Sequence, residues 1–291
     1  MNSSFSDLHF LAANASLALM EEAFLAPKPG LVDRRSSGSH SDMDLTLMER
    51  SAQCLEPFFL EIAKVSWGRE VDAVLREEIG LIGREAEAQM LSVTGGVNTH
   101  KGAIWSLGLC SSVLASHQMN TSKRRFFQDI AKLASTEDRK ASSHRPTHGQ
   151  TVKQLHGLTG AKEEAQGGFP HIVYASLPML HHSRKRGCSE ESARINCLLA
   201  LTASLNDTCV AYRGGIEALR GLQKKSREFL QAGGLESKNG ERILEELDIW
   251  SRARRVSPGG AADLLATTLF IDKFSSIRIV NANRLSFFFI N

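Results

Sequence analysis

The sequence lacks most of the features that would assign it at a glance. Its five cysteines, at 54, 110, 188, 197 and 209, are odd in number and never in CxxC spacing. Neither a disulfide framework nor a zinc knuckle is predicted from them, and reduced thiols are the expectation. No Lys or Arg precedes Lys28, and without a basic leading region the N-terminus makes a poor signal peptide. No uninterrupted apolar run is long enough to span a bilayer. A cytoplasmic protein without membrane attachment is therefore expected. Charge of one sign is not in excess either: Lys+Arg 35 against Asp+Glu 32 leaves a formal +3. That balance argues against a dedicated nucleic-acid binder, which concentrates basic charge, and leaves room for a local phosphate pocket. No G-x-x-x-x-G-K-[ST] run is present, so a Walker-type phosphate loop is excluded.

What the sequence does have is helical period. Apolar residues recur at threes and fours over Leu8–Phe24, Leu47–Val65, Leu75–Leu91, Ala103–Leu114, Ala193–Tyr212, Leu222–Leu230, Gly240–Trp250 and Ala261–Ile271. No series of alternating β-branched residues competes with them. The prediction is an all-α, bundle-like single domain over residues 1–272, with Gly/Pro-rich loops forming its active site. An apolar fraction of 42% supplies a core that needs no disulfide or metal staple. Neither an internal repeat nor a domain boundary is visible. Ser135–His148 reads as a polar, mobile connection, and 273–291 as a divergent tail in which the helical pattern stops.

Four loops punctuate the helices and hold most of the candidate chemistry. In PKPGLVDRRSSGSH (27–40) two prolines hold Lys28 extended. Arg34 and Arg35 offer guanidinium forks suited to phosphate, and Asp33 either orients one of them or serves the reaction. A solvated basic turn is the plain alternative. Asp42 and Asp44 follow; in a turn entering the next helix both could reach one divalent ion, or one of Ser41 and Asp42 is simply the helix cap. In VTGGVNTHKG (93–102), Gly95 and Gly96 allow close approach of an anion. Asn98 or Thr99 caps the next helix, Lys101 adds charge beside its free N–H groups, and His100 is a candidate proton carrier. Upstream, Glu85 shares a helix face with Ala88 and Leu91 and is read as pointing inward, whereas Glu87 reads as solvated.

Asp207 falls at i+4 and i+7 from Ala203 and Ala200, which places a carboxylate on an apolar helix face. That position is costly unless the group is paired or metal-bound. Arg213 lies near the helix end, where Gly214 or Gly215 stops it. In VSPGG (256–260), Ser257 reads as an N-cap with Pro258 at N1 and Asp263 in the first turns. Gly259 and Gly260 are left without a helical reason.

Together PKPGLVDRRSSGSHSDMD, TGGVNTHKGAIWSLGL, HGLTGAKEEAQGGFP, DTCVAYRGG and SPGGAADLLATTLF, in that order, resemble the triphosphoribosyl-dephospho-CoA synthases. The resemblance covers roughly Leu17 to Asp272. It implies a pentosyltransferase that uses ATP as a ribosyl donor: ATP plus 3'-dephospho-CoA gives 2'-(5''-triphosphoribosyl)-3'-dephospho-CoA and adenine. The product then passes to a transferase acting on an acyl-carrier protein of malonate decarboxylase or citrate lyase, and DTCV and IGREAEAQM look closer to the malonate decarboxylase branch. An oxocarbenium-like transition state needs a carboxylate, the acceptor hydroxyl a base and the leaving adenine an acid. On this reading Asp33, Asp207, His100 and Glu85 are the catalytic candidates. Lys28, Arg34, Arg35, Gly95, Gly96, Asn98, Thr99, Lys101, Arg213, Ser257, Gly259 and Gly260 bind substrate. Asp42, Asp44 and Asp263 hold Mg²⁺. An N-ribosyl hydrolase and a non-catalytic nucleotide-binding assembly protein are the rival classes.

Overall fold

A computed structural model describes residues 2–140 and 148–275 of the chain. Among them every regular element is helical: α1 (Asn2–Phe24), α2 (Leu45–Ser66), α3 (Ala73–Val93), α4 (Lys101–Ser116), α5 (Lys123–Ser135), α6 (His148–His156), α7 (Ala161–Gln166), a π-turn (Ile172–Ser176), α8 (Leu177–Lys185), α9 (Glu190–Ser204), α10 (Thr208–Gln231), α11 (Gly240–Ala253) and α12 (Gly259–Ser275). The all-α prediction holds. Residues 141–147, half of the expected connection 135–148, and residues 276–291 of the tail, including the Phe287–Ile290 run, lie outside the described residues. Within what is described, Asp138 is pinned by Arg76 (3.5 Å) and Arg84 (2.6 Å). The last helix runs past Asp272 to bury Phe274.

The core is built around α4 and α12, the helices with apolar residues on nearly all sides. In α4 every residue from Ala103 to Ala115 is buried except Trp105, as expected for a helix surrounded by others. It packs against α1, α2, α3, α5 and α12, while α12 also touches α1, α9 and α10. Close approach is secured by hydroxyl pairs rather than bulk: Ser106 with Thr267 (2.7 Å), Ser66 with Ser112 (2.8 Å) and Ser176 with Thr268 (2.7 Å). Each pair satisfies buried polar atoms that would otherwise be costly.

The segment read as one helix, Ala193–Tyr212, is two. Helix α9 ends at Ser204, Leu205 turns extended (φ −68°, ψ 135°), and Asp207 caps α10. Apolar spacing continues across the break, which is why period alone missed it. Gly215 then takes φ 75° and kinks α10 just beyond Arg213, so glycine interrupts that helix as expected, though it resumes at once. Helices α5 to α8 escaped the sequence reading. Three of them are short and polar; α5 shows its core stripe (Phe126, Phe127, Ile130, Leu133) only beneath many charges.

Leu107, fully buried at the centre of α4, provides a check on this packing. Leu107→Ala should lower the unfolding free energy by about 2–5 kcal/mol, read from urea unfolding followed by helical circular dichroism. A loss well under 1 kcal/mol would mean that α4 is not the central helix.

Candidate active site

The 25–44 loop turns its lysine inward. Lys28 is 2% exposed, and its Nζ donates to the Glu22 carboxylate (2.5 Å) and the Glu22 carbonyl (2.6 Å). Asp33 folds the loop around it: Oδ2 accepts the Lys28 N–H (2.9 Å), and Oδ1 accepts the N–H groups of Arg35 (2.7 Å) and Ser36 (3.0 Å). Both oxygens are engaged by backbone, so Asp33 serves as a loop anchor where a catalytic acid was expected. Gly30 (φ +71°) binds the loop to α11 through Asp248 (2.9 Å). A Cβ there would lie 2.4 Å from the Val256 carbonyl, which Ser39 Oγ also reaches (2.7 Å).

Opposite this loop, Asp207 joins two helices. Its Oδ1 accepts the N–H groups of Cys209 (2.9 Å) and Val210 (3.3 Å) at the start of α10; its Oδ2 accepts the Ala261 N–H (2.9 Å) at the start of α12. One buried carboxylate thus satisfies two helix N-termini. Ser257, the expected cap of α12, does not serve: its Oγ is buried with no partner among the described residues, and Asp207 supplies the cap from another element. Gly260 lets that carboxylate in, since a Cβ would lie 3.1 Å from Oδ2, and Gly259 faces Cys209 Sγ in the same way. Burial pushes the Asp207 carboxyl up, while the amides of Ala261, Val210, Cys209 and Gly260 pull it down.

The start of α4 closes the third side. Asp263 lies directly on Gly102, where a Cβ would meet Oδ2 at 2.0 Å, and accepts the Ala103 N–H. Desolvation, then the charges of Glu22 and Asp207, hold its carboxyl well above the usual range. His100 is buried, with Nδ1 on Ser51 Oγ (2.7 Å), which in turn meets Thr99 Oγ1 (2.6 Å). Burial, and secondarily Lys28, push the imidazole down to about 3. His100 is therefore neutral near pH 7, and the proton-carrier role expected of it loses its basis. The floor of the site is Glu22, Lys28, His100, Asp207 and Asp263, set among the N-termini of α4, α10 and α12.

The exposed rim carries the other basic residues. Arg213 approaches His40 Nδ1 (3.3 Å), and the Arg213 charge together with burial lowers the His40 pKa. Lys101 pairs with Glu87, and Arg34 with Glu191 on the surface. Arg35, Gly95 and Gly96 are exposed, both glycines at positive φ, and Asn98 Oδ1 accepts the Lys101 N–H (3.2 Å). Three expectations fail here. Glu85 is exposed, because the buried stripe of α3 is Leu75, Ile79, Ile82, Ala86 and Met90; Glu87, expected to be solvated, is the acid that meets Lys101. Asp44 is the N-cap of α2 (2.8 Å to Leu47 N). Asp42 is exposed beside His40, so the Asp42–Asp44–Asp263 set does not assemble. Among the described residues no group of three or more His, Cys, Asp or Glu is placed to hold a metal ion.

Three residues of the buried polar network escaped the sequence reading: Glu22, Glu164 and His171. Glu22 continues the buried row Leu11, Ala15, Ala18 of α1 at helical spacing, and an acid on such a row demands a partner. Glu164 of α7 and His171, just before the π-turn, pair at 2.7 Å. His171 also bonds the backbone of Ser204, which fixes the bend before Asp207, and the Glu164 carboxylate raises its pKa. A surface pocket of about 380 Å³ lies between Arg69, His117 and Lys132 at the opposite end of α4, away from these groups.

An all-α protein with acids and a buried lysine gathered at helix N-termini is thus the class defined by fold and site. The family model for ATP:dephospho-CoA triphosphoribosyl transferases matches residues 9–280, and the chain belongs to that family. It is 47% identical over 268 residues to the 2-(5''-triphosphoribosyl)-3'-dephosphocoenzyme-A synthase of Klebsiella pneumoniae, covering 92% of this chain and 95% of that one. It is 49% identical over 257 residues, 88% of each chain, to the "Probable 2-(5''-triphosphoribosyl)-3'-dephosphocoenzyme-A synthase" of Azotobacter vinelandii. No solved structure matches the chain.

Two measurements check this geometry. Asp207→Asn replaces an acceptor by an amide N–H₂ that must face a backbone N–H. It should cost about 1–3 kcal/mol, with activity falling in step with stability; loss of activity at unchanged stability would instead put Asp207 in the chemistry. For His100 the folded-state pKa lies below the unfolded value near 6.5, so the unfolded chain binds the extra proton. Its contribution is complete above pH 6.5 and is lost as pH falls toward 3, at up to about 1.4 kcal/mol per pH unit. Unfolding free energies at pH 7 and pH 5 should therefore differ less in His100→Gln than in the parent protein; an equal difference would show that His100 is not the buried neutral group.

Proposed function

We propose that this chain transfers the 5-triphosphoribosyl group of ATP to the 2'-hydroxyl of 3'-dephospho-CoA and releases adenine. The observation that carries the reading is the floor of the site, where Asp263 feels the charges of Glu22, itself paired with Lys28, and of Asp207, beside the N-termini of α4, α10 and α12. Negative potential there suits a ribose that develops positive charge at C1'. The exposed Arg35, Arg213 and Lys101, with the Gly95–Gly96 turn, suit the polyphosphates of both substrates at the rim. Magnesium, in this reading, arrives with the triphosphate. Mg²⁺ keeps several waters and is commonly held by substrate phosphates with one or two carboxylates, and the acids present do not form a resident site.

Asp263 is the acid best suited to proton transfer. Glu22 is neutralised by Lys28, and Asp207 is held by amides of two helices, whereas Asp263 has the Ala103 amide and two like charges as neighbours. In the proposed sequence the C1'–N9 bond breaks with its electron pair going to adenine. The Asp263 carboxyl gives its proton to the departing ring. The acceptor 2'-oxygen then bonds to C1', and its proton returns to the Asp263 carboxylate. No net proton is consumed. The product would feed a transferase that loads an acyl-carrier protein, here placed with malonate decarboxylase rather than citrate lyase, and the enzyme would work in the cytoplasm. The family's own description names a transfer to dephospho-CoA, which sets this reading above a hydrolase or a binding protein.

Chromatography of ATP, Mg²⁺ and enzyme should show adenine only when dephospho-CoA is present. Adenine formed at the same rate without acceptor would make the protein an N-ribosyl hydrolase, and none at all a binding protein. Asp263→Asn should lower kcat by roughly 100- to 10,000-fold with little change in KM. In the parent enzyme kcat should fall as pH rises through the raised Asp263 pKa, since the carboxyl must begin protonated. A parent-like kcat in Asp263→Asn would remove it from the mechanism.

A further inference from the structure

Helix α1 buries one face and leaves a continuous apolar row on the other. Phe10 (50% exposed), Leu17 (39%) and Phe24 (37%) recur every seven residues, with Ala13 and Met20 between them. Phe5, 64% exposed, stands beside its N-terminal end. The acids of the C-terminal half of α1 stay off the row: Glu22 is paired with Lys28 inside, and Glu21 turns to Lys273 (3.1 Å) and Arg194 (3.7 Å). Other large exposed apolar side chains among the described residues are dispersed over α3, α6, the π-turn, α10 and α11.

We infer that this row is the interface with a second copy of the same chain, packed antiparallel through α1. Alternating steps of three and four are the seam pattern by which two helices interlock. An uncharged row is also compatible with itself, as a two-fold interface requires. The sequence of sizes fixes the direction. With Leu17 on the axis, Phe10 meets Phe24 of the second copy, and Ala13 meets its Met20, so the one small residue of the row faces a large one. A parallel pairing would set Ala13 against Ala13 and leave a gap. Taking each aromatic at about 200 Å², the exposed parts of Phe5, Phe10, Leu17 and Phe24 amount to roughly 350–400 Å² per copy. That is about half of the ~800 Å² per partner of a standard interface, the share expected of its apolar centre. The row ends at Phe24, where the chain enters the Leu25–Asp33 loop, so this contact would also brace the loop that carries Lys28.

Cysteine scanning in the full chain tests both partner and direction. Leu17→Cys should give a disulfide-linked dimer on mild oxidation. Phe10→Cys alone should give none above the parent protein, whose five native cysteines set the background; mixed with Phe24→Cys it should give the crossed pair. Light scattering on a sizing column should report a dimer for the parent and a monomer for Leu17→Asp with helical content intact. If Leu17→Asp fails to fold, the cross-links still decide. A monomeric parent without a Leu17→Cys cross-link would overturn the proposal, including the case in which residues 276–291 of the same chain cover the row. Phe10→Cys self-linking as fast as Leu17→Cys would overturn the antiparallel register.

Discussion

The carboxylate of Asp207 is shared by two helices that start side by side, and most of the site's geometry follows from that sharing. The first amides of α10 and α12 both need acceptors, and two aligned N-terminal dipoles repel unless an anion lies between them. Asp207 meets both needs with three backbone bonds of 2.9–3.3 Å. The position of α12 then fixes the turn at Val256, and that turn receives Gly30 and Ser39 of the lysine loop. Because α12 is set, Asp263 in its first turns is brought onto Gly102 at the start of α4. A carboxylate bonded to amides gains about 1.5–3 kcal/mol per bond, and its desolvation costs several kcal/mol. The net stabilisation is small beside the geometric consequence.

The same arrangement creates an imbalance of charge that the protein does not correct. Of Glu22, Asp207 and Asp263, only Glu22 is paired with the buried Lys28, and His100, neutral by burial, adds no cation. Lys28 goes to Glu22, and the backbone amides go to Asp207. The remaining acid, Asp263, is pushed well above the usual carboxylate range by desolvation and by the charges of Glu22 and Asp207. A carboxyl raised in this way is useful where a leaving group must be protonated. The outer cations Arg35 and Arg213 stay exposed at the rim. In the proposed reaction, phosphate binding at the rim would be separated by burial from proton transfer at the floor, and a Walker loop would not be required.

Much of this was legible in the sequence, for definable reasons. Amphipathic period gave α1 to α4 and α10 to α12 because their buried faces are long and apolar. The glycines at 30, 102, 259 and 260 mark loops where another element approaches the backbone closely, and the structure shows what approaches: the Val256 carbonyl, Asp263, Cys209 and Asp207. What stayed hidden was the assignment of acids. Asp33, Asp44 and Asp207 all precede or fold a turn, and a capping carboxylate has the same local sequence as a catalytic one. Only the count of backbone amides at each oxygen separates them. Glu85 was misjudged because Ala88 and Leu91 look like a buried face, whereas the true stripe of α3 runs through Ala86 and Met90. Glu22 was missed because an acid at the end of an apolar row resembles the helix's exit into solvent, and its partner Lys28 lies beyond Pro27 in the following loop.

Lys28 shows why the loop must be so heavily fastened. An extended lysine between prolines suggests a charge presented outward, yet the side chain is sealed against Glu22. Breaking a buried pair by removing one partner is far costlier than never having built it, so the pair acts as a clamp on the path of the chain between α1 and α2. Asp33 closes the loop from inside, Asp248 and the Val256 carbonyl hold it from outside, and Arg35 is left at the surface between these anchors. A guanidinium carried on such a loop can grip a long anionic substrate without first ordering the backbone beneath it. Ordering that backbone on binding would cost roughly 1–2 kcal/mol per residue fixed. In the proposed function the buried lysine would act on substrate binding through the rigidity it gives the loop that carries Arg35, without touching phosphate itself.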